Sequence, residues 1–413
     1  MHAFFRHSLR LFLFVFWVLS AQSSFGVSYK TLKLCGNSFA PHPRPNVATN
    51  VTTVNAPTTE APSSSPASFA VEELLFPSGT HVGLQLPALG KGFEKTVYAT
   101  SEPGLLIGIF NSNDIHRQLG QISQGTTNPA IGFLNALPSI PTPYLRYETA
   151  PQPVRTGNGE QLVLVSLMEE AVPISFDFHK RSIHRHSNDS LEAVLALGLQ
   201  MTAAARALNH AGFFHADIKL DNILMLPENG ESSAHFVLTD YGVMDLRDMP
   251  AEHNVRGTPS FMSPEQFQPG APLGLESMLY SISVTLLEAL YSREVFDSFQ
   301  TSRRFANINK TLLSFAFDPQ TSYARVRTKL QADVARDLQQ NADRPSHFRQ
   351  ARASRIQSIV TLILSGLHPD RLNRLNLSVH ARTPSNSEAH SSRIPIRQRA
   401  FYGQVEQLLS NSR

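Results

Sequence analysis

The hydrophobic pattern changes character along the chain. Between 71 and 168 the apolar residues occur in short runs of the kind that form β-strands: LQLPAL, KTVYAT, LLIGIF and QLVLVSLM. After that point they recur at helical intervals, first over 191–208 and again over 355–367. The segment 277–291 is apolar almost throughout, which predicts a helix that is buried on all sides. A β-rich part followed by a larger helical part predicts an α+β fold with two lobes and a cleft between them.

The segment that precedes this pattern has the composition of a targeting signal. Arg6 and Arg10 stand before and at the start of the apolar run LFLFVFWVLSA, and Ser24 and Gly26 are small residues of the kind found near a cleavage point. This pattern predicts a signal peptide over 1–26 and a secreted protein. A membrane anchor is the alternative, but the run is shorter than the about 20 residues that span a bilayer.

Composition divides the rest of the chain. Residues 27–70 are rich in Pro, Thr and Ser and bury too little apolar surface to order themselves, so we expect a disordered leader. The folded, two-lobed domain is then expected over 71–380, with the small lobe at 71–170 and the larger lobe at 171–380. The remaining residues, 381–413, form a basic C-terminal extension.

Charge and cysteine content narrow the class of partner. A formal net charge of +3 is too small to make nucleic acid the main partner, and a single cysteine excludes an internal disulfide. We expect a monomer. The basic C-terminal residues permit a peripheral membrane contact, with an ordinary solvated tail as the alternative. These residues are Arg382, Arg393, Arg397 and Arg399.

Three polar motifs follow one another in the second half of the chain. HADIKLDNIL begins at His215 and places three chemistry-bearing residues within six positions. FVLTDYG follows and ends in Asp240-Tyr241-Gly242, and GTPSFMSPE then ends at Glu265. One such motif would be a weak signal, whereas three in this order are a specific one.

These motifs resemble the signatures H-R-D-x-K-x-x-N, D-F-G and A-P-E of the protein kinase superfamily, over roughly 80–377. The resemblance implies phosphoryl transfer from ATP with Mg²⁺. Asp217 would orient the substrate hydroxyl or accept its proton, and Lys219 would steady the moving phosphate. Asn222 and Asp240 would hold the Mg²⁺ ion through oxygen atoms. A lysine two residues after the aspartate is the Ser/Thr kinase pattern, so a protein Ser or Thr is the expected acceptor.

The same resemblance exposes departures in the second half. Ala216 stands where an arginine usually precedes the catalytic aspartate. The aspartate that braces the catalytic loop would fall near Met278 and is missing. Glu265 is expected to pair with a later arginine, Arg374 as first choice or Arg344 as second.

The first half departs further. LLIG stands where V-A-I-K belongs, so Gly108 replaces the phosphate-binding lysine. No glutamate occurs between Pro103 and Tyr147, so the usual partner of that lysine on the following helix is missing too. Leu106 replaces a small residue that faces adenine, which narrows the adenine slot.

The stretch GKGFEKTVY offers a replacement lysine. It resembles the glycine loop of the with-no-lysine kinases, in which a lysine takes the place of the third glycine. Lys95 stands at that position here. Side chains two apart on a strand share a face, so Lys95 should face the cleft with Val97, and Gly108 would leave room for it. Lys91 is the rival at the loop tip. The resemblance assigns to the nucleotide Gly90, Gly92, Lys95, Val97, Leu106, Met168 at the back of the adenine pocket, and Glu169 and Ala171 in the hinge.

A secreted Ser/Thr kinase fold with a degraded site and a Pro/Thr-rich leader resembles the rhoptry-type and vacuole-secreted kinases and pseudokinases of apicomplexan parasites. That resemblance implies a parasite secretory organelle or parasitophorous vacuole, and a protein substrate or partner. Two functions remain open: a kinase that uses Lys95, and a pseudokinase that acts as a binding or scaffolding module. Binding of ATP with Mg²⁺ discriminates between them.

Overall fold

The computed structural model describes nine stretches of the chain. They are 72–91, 95–110, 129–159, 161–174, 183–226, 234–248, 256–305, 310–374 and 396–410. The predicted signal peptide and leader, Gly92, Arg382 and Arg393 lie outside these residues.

Six strands of the N-terminal part close into an antiparallel barrel, in the order β1-β2-β3-β4-β6-β5, with β1 pairing β5. Closure leaves no unpaired strand edge. The strands are β1 (Glu73–Leu75), β2 (His81–Lys91), β3 (Lys95–Thr100), β4 (Leu105–Phe110), β5 (Gln152–Thr156) and β6 (Leu162–Glu169).

Alternation along β4 separates the barrel core from the opposite face. Leu105 and Ile107 are buried in the barrel core, together with Val165 and Leu167 of β6. The alternating residues, Leu106 and Gly108, therefore point to the other face of the sheet. By the same alternation Ser166 and Met168 of β6 lie on that second face.

Eight α-helices are described in the remaining residues. They are α1 (Pro129–Ala136), α2 (Asn188–His210), α3 (Leu275–Leu290), α4 (Arg293–Phe299), α5 (Pro319–Gln340), α6 (Ser346–Gly366), α7 (Arg371–Arg374) and α8 (Ile396–Leu409). Short strands connect them: β7 (Val172–Pro173), β8 (Phe213–His215), β9 (Ile223–Met225), β10 (Phe236–Leu238), β11 (Met244–Leu246), β12 (Thr301–Phe305) and β13 (Lys310–Ser314).

Helix α3 is the centre of the helical core. All of its residues except Leu275 and Glu288 are buried, which confirms the predicted helix that is buried on all sides. Helix α2 packs against it at Gly198, where a Cβ atom would lie only 3.0 Å from Leu286 and Leu362. By length and hydropathy α2 could cross a membrane, but half of its apolar window is buried inside the protein.

The apolar side chains form two separate clusters. One lies among the helices and includes α1. The other fills the barrel and includes Phe401, Val405 and Leu408 from α8. Residues 396–409, which the sequence placed in a basic extension, therefore form a helix that supplies part of the barrel core.

Candidate active site

His215 anchors the polar loop that follows β8. Its buried ring accepts the main-chain N–H of Asp217 on Nδ1 at 3.2 Å, so the ring proton resides on Nε2, which donates to the carbonyl of Thr239 at 3.1 Å. Burial lowers the pKa of His215, although the carboxylates of Asp240 and Asp217 act in the opposite direction. A neutral ring thus ties this loop to the segment that leads into Asp240.

Both carboxylate oxygens of Asp217 accept hydrogen bonds. Oδ1 accepts the main-chain N–H of Thr258 at 2.7 Å. Oδ2 lies 2.9 Å from Lys219 Nζ and 3.1 Å from Asn222 Nδ2. Burial raises the pKa of Asp217, but the Lys219 ammonium and the hydrogen bonds from Thr258 outweigh it and hold that pKa below its usual range. The group is an ionised acceptor, which suits it to orient a hydroxyl.

Lys219 bridges two segments of the site. Its ammonium donates to the hydroxyl of Thr258 at 2.7 Å, in addition to its contact with Asp217. The sequence analysis did not single out Thr258, although it stands in the GTPSF stretch next to a recognised motif. The structure brings all three residues together.

Asn222 and Asp240 lie on adjacent backbone segments, because the N–H of Thr239 donates to the carbonyl of Asn222 at 3.0 Å. The Asn222 amide nitrogen is used on Asp217, so the amide oxygen is the atom available to a cation. Asp240 is exposed and adopts a left-handed conformation with φ 65°, which Asp tolerates better than most residues. Mg²⁺ is typically held by one or two such oxygen ligands together with substrate phosphates, so this pair fits that ion.

The catalytic loop is braced without the missing aspartate. Met278 lies fully buried in the helical core, and Gln266 instead donates through Nε2 to the carbonyl of Ala216 at 3.1 Å. Ser263 holds Gln266 in place through its main-chain N–H, at 2.9 Å from Oε1. Gly257, at φ 109°, allows a close approach to the same carbonyl, since a Cβ atom there would lie 2.4 Å from that oxygen.

Glu265 pairs with Arg374, and this confirms the first of the two choices. Arg374 Nη1 donates to Glu265 Oε1 at 2.7 Å, and the hydroxyl of Ser277 donates to the same oxygen at 2.6 Å. Arg344, the second choice, lies over the ring of Phe348 instead. The pair is almost fully buried and holds the end of the third motif against α3 and α7.

Lys95 lies on the face of β3 that Gly108 leaves open. Its neighbour on that face, Val97, pairs directly with Gly108 in the register. A Cβ atom at position 108 would lie 2.9 Å from Lys95 Cδ, 3.0 Å from Met168 Cε and 3.1 Å from Ser166 Oγ. Only glycine therefore accommodates the lysine stem in this arrangement.

The carboxylate partner of Lys95 comes from an unexpected place. Between 103 and 147 there is no glutamate, but Glu148, the next residue, forms an ion pair with Lys95. Lys95 Nζ also lies 3.5 Å from Ser166 Oγ. The exposed fraction is 26% for the lysine side chain and 4% for the glutamate, whereas Lys91 is exposed on the strand before. In the sequence, Glu148 is distinguished only as the first glutamate after Glu102.

The residues expected to surround adenine are packed against each other and engaged in internal contacts. Leu106 and Met168 are paired in register and are both buried. The Glu169 carboxylate lies 2.9 Å from the guanidinium of Arg397 on α8. The main-chain carbonyl of Glu169 accepts a hydrogen bond from Nε of Arg146 at 2.8 Å. Burial raises the pKa of Glu169, and Arg397 acts in the opposite direction. The Glu169 side chain thus holds α8.

The other residues that the sequence assigned to the nucleotide are placed as follows. Gly90 pairs with Val97, so the start of the glycine loop lies beside the lysine strand. Ala171 is buried just before β7, which pairs with β9. Gly92 lies outside the described residues.

Comparisons with known proteins bear on the family of the chain. A family model described as Protein kinase domain matches residues 161–382, more than half of the 413 residues. CBL-interacting protein kinase 25 of Oryza sativa subsp. japonica is 29% identical over 145 residues, which cover 34% of this chain and 27% of that protein. Serine/threonine-protein kinase pkn3 of Myxococcus xanthus is 30% identical over 168 residues, which cover 39% of this chain and 30% of that protein.

These alignments span less than a third of either curated relative. Among solved structures, that of vaccinia related kinase 3 has a TM-score of 0.39 and 13% identity, and covers 77% of this chain and 93% of that chain. This likeness is too low to add to the fold assignment. The family model, together with the three motifs and the site that they build, shows that the chain belongs to the protein kinase family.

Proposed function

We propose that this protein is an active Ser/Thr protein kinase, which transfers the γ-phosphate of ATP to a protein hydroxyl. The observation that carries the proposal is the ionised Asp217, held at once by Lys219, Thr258 and Asn222. These contacts join the residues that the motifs assign to phosphoryl transfer into one connected set. The two separate apolar clusters support a fold of two lobes, one built on the barrel and one on the helices.

In this mechanism Asp217 accepts the hydrogen bond of the substrate hydroxyl and orients its oxygen toward the phosphate. The depressed pKa of Asp217 makes it a weak base. That is sufficient, because phosphoryl transfer depends mainly on positioning and on charge stabilisation. Lys219, between Asp217 and Thr258, lies where it can steady the transferred group.

Lys95 supplies the positive charge on the opposite side of the cleft. Protein kinases usually carry a lysine at the position that Gly108 occupies here. The ammonium of Lys95 takes the place of that lysine and would contact the ATP phosphates from β3. Mg²⁺, held by Asn222 and Asp240, would neutralise part of the phosphate charge. A charge-assisted contact of the lysine kind is roughly twice as strong as a neutral hydrogen bond.

A catalytically dead pseudokinase that binds a protein partner is the second candidate. The packing of Leu106 against Met168 favours it, because this pair narrows the adenine slot. Ala216 favours it too. It replaces the arginine that usually binds the phosphate group of a phosphorylated activation loop.

We also propose that the protein is secreted, after cleavage near Val27, and that it acts in a parasite secretory organelle or vacuole. This part rests on the N-terminal composition and on the resemblance to rhoptry-type kinases. N-terminal sequencing of secreted material should begin near Val27, and Met1 retained there would contradict it. Membrane contact through Arg397 is not part of the proposal, because Arg397 is engaged with Glu169.

The test of the kinase proposal is a radiolabelled transfer assay with Mg²⁺-ATP and a Ser/Thr peptide library, beside a thermal shift. Nucleotide at a hundredfold excess over its Kd should stabilise the wild type by about 2.7 kcal/mol. Lys95→Met should reduce transfer by about 100- to 1000-fold. Lys91→Met, a matched change at an exposed lysine, should leave transfer unchanged. A wild type with neither transfer nor a thermal shift would establish the pseudokinase reading.

A further inference from the structure

Glu148 lies outside every motif that the sequence analysis used. Its carboxylate is almost fully buried and forms an ion pair with Lys95, 53 residues earlier in the chain. A buried carboxylate is costly to desolvate, and an ion pair of this kind is weak evidence for stability alone. Stability of the barrel alone therefore does not explain a glutamate at this position.

The segment that carries Glu148 is held by backbone contacts on two sides, by β6 and by residues 238–241, which include the candidate ligand Asp240 and are called the metal loop below. Glu148 forms a β-bridge with Met168. The residue before it, Tyr147, accepts the main-chain N–H of Glu169 at 2.8 Å, and the N–H of Thr149 donates to Leu167 at 2.9 Å. The carboxylate is thus presented from a backbone whose position is set on both sides.

The same segment is tied to the metal loop from the other end. Leu145 bridges to Leu238, and the N–H of Arg146 donates to the Leu238 carbonyl at 3.0 Å. The hydroxyl of Tyr241, directly after Asp240, lies 2.8 Å from the carbonyl of Arg146 and 2.7 Å from that of Leu238. A rigid connection therefore runs from the candidate metal ligand to the partner of Lys95.

The path of the lysine stem is equally restricted. It passes over Gly108, and its ammonium lies 5.8 Å from the ring centroid of Phe110 and 3.5 Å from Ser166 Oγ. The Lys95 side chain keeps 26% of its surface exposed, whereas the Glu148 side chain is only 4% exposed. A buried carboxylate therefore holds a lysine that still reaches solvent.

We propose that Glu148 is the positioning residue for Lys95: it takes over from the absent helix glutamate and presents the ammonium to the nucleotide phosphates. This inference rests on the proposed kinase function. Removal of the carboxylate leaves the charge of Lys95 in place, so any loss of phosphate affinity reports the position of the ammonium.

The experiment measures Mg²⁺-ATP and adenosine affinity by calorimetry on wild type, Glu148→Gln and Glu148→Asp. Glu148→Gln should weaken ATP binding by about 10- to 100-fold, the loss expected when one hydrogen bond to a charged group is no longer made. Adenosine affinity should stay unchanged, because adenosine carries no phosphate. Glu148→Asp keeps the charge on a shorter stem, so its ATP affinity should lie between those of wild type and Glu148→Gln. This variant carries the test if Glu148→Gln does not fold. Glu72→Gln, at an exposed glutamate, is the matched control.

A double-mutant cycle separates positioning from general structure. In a Lys95→Met background, Glu148→Gln should have no further effect on ATP affinity, because the group that it positions is gone. Equal losses for ATP and adenosine, or an effect that persists without Lys95, would show a merely structural role and overturn the inference. A gain in ATP affinity would overturn it too, because Glu148 would then restrain Lys95.

A second readout distinguishes failure of this inference from failure of the kinase proposal. If the wild type binds no nucleotide, the proposed function fails, and the acylation rate of Lys95 by an amine-reactive reagent decides the remaining question by peptide mass spectrometry. Faster labelling in Glu148→Gln than in Glu72→Gln would support positioning of Lys95 by Glu148. Equal rates in the two variants would overturn it.

Discussion

The catalytic loop and the barrel face that carries Lys95 assemble their charges in different ways. In the loop, Asp217, Lys219 and Asn222 lie within six positions of one another and are in direct contact. On the barrel face, Lys95 comes from β3, its space from Gly108 on β4, and its partner Glu148 from a distant segment.

This difference shows which parts of a site can move in sequence. Asp217, Lys219 and Asn222 tolerate little change in spacing, because one short backbone segment sets the distances between them. A phosphate-binding ammonium needs only to arrive at one point in space. Two adjacent strands share that face, so either can supply it provided that the other leaves room.

The largest expected effect is in the loop. Asp217→Asn should reduce transfer by about 1000-fold or more, because the amide cannot act as the charged acceptor of the substrate proton. Folding should remain intact, since the amide can still accept the N–H of Thr258. Transfer kinetics beside thermal unfolding measure both. Asp248→Asn is a matched control at an exposed aspartate with φ 63°, a conformation that Asn also tolerates. Transfer that survives Asp217→Asn would show that the loop does not carry the reaction.

The barrel should prove to depend on the far end of the chain. Phe401 on α8 is buried in the barrel core, with its ring centroid 5.1 Å from that of Tyr402. Phe401→Ala should lower the free energy of unfolding by about 3–5 kcal/mol, as large-to-small changes in cores do. Chemical denaturation measures it, with Ile396→Ala, at an exposed position on the same helix, as the control. Equal small effects of the two changes would mean that α8 does not stabilise the barrel.

A methyl group at Gly108 should disturb the lysine without touching the loop. Gly108→Ala places a Cβ atom 2.9 Å from Lys95 Cδ, so the stem must shift. We expect about a tenfold loss of ATP affinity, smaller than the effect of losing the lysine itself. Gly83→Ala is the control, because a Cβ atom there comes no closer than 3.8 Å to Ser101. Calorimetric titration of ATP that gives the same affinity for both variants would contradict the role of the Gly108 gap.

The smallest effect concerns the neutral ring of His215. Because burial lowers the pKa of His215, the unfolded chain binds a proton at a higher pH than the folded protein does. The contribution of His215 to the free energy of unfolding is fully present above the pKa that histidine has in the unfolded chain, about 6.5. That contribution is lost as the pH falls below this value.

The loss through His215 is at most about 1.4 kcal/mol per pH unit. In His215→Gln the unfolding free energy should fall less steeply between pH 6.5 and 5 than in the wild type, because glutamine does not titrate. Denaturant unfolding across that range measures the slopes. Identical slopes would show that His215 is protonated equally in both states.

Some features of this site could be predicted because their cause is local. Asp217, Lys219 and Asn222 are adjacent in sequence and remain adjacent in space, since a short loop cannot separate them. The apolar run of α3 predicted complete burial from residue type alone. The pairing of Glu265 with Arg374 is not local, and it was expected only from the resemblance to protein kinases.

Other features arise from contacts between distant segments. Apolar residues at 401, 405 and 408 mark one face of a helix, but nothing in their spacing says that this face completes the barrel. The pairing of Arg397 with Glu169 follows only from that docking.

By itself the sequence determined the family motifs, a strand-rich part before a helix-rich part, and a lysine on the face of β3 that Gly108 leaves open. Only the tertiary structure decided that Glu148 holds that lysine and that Gln266 braces the catalytic loop. The physical reason is that both contacts depend on which backbone segments lie side by side. Strand register and helix docking set that, whereas residue type and local spacing do not.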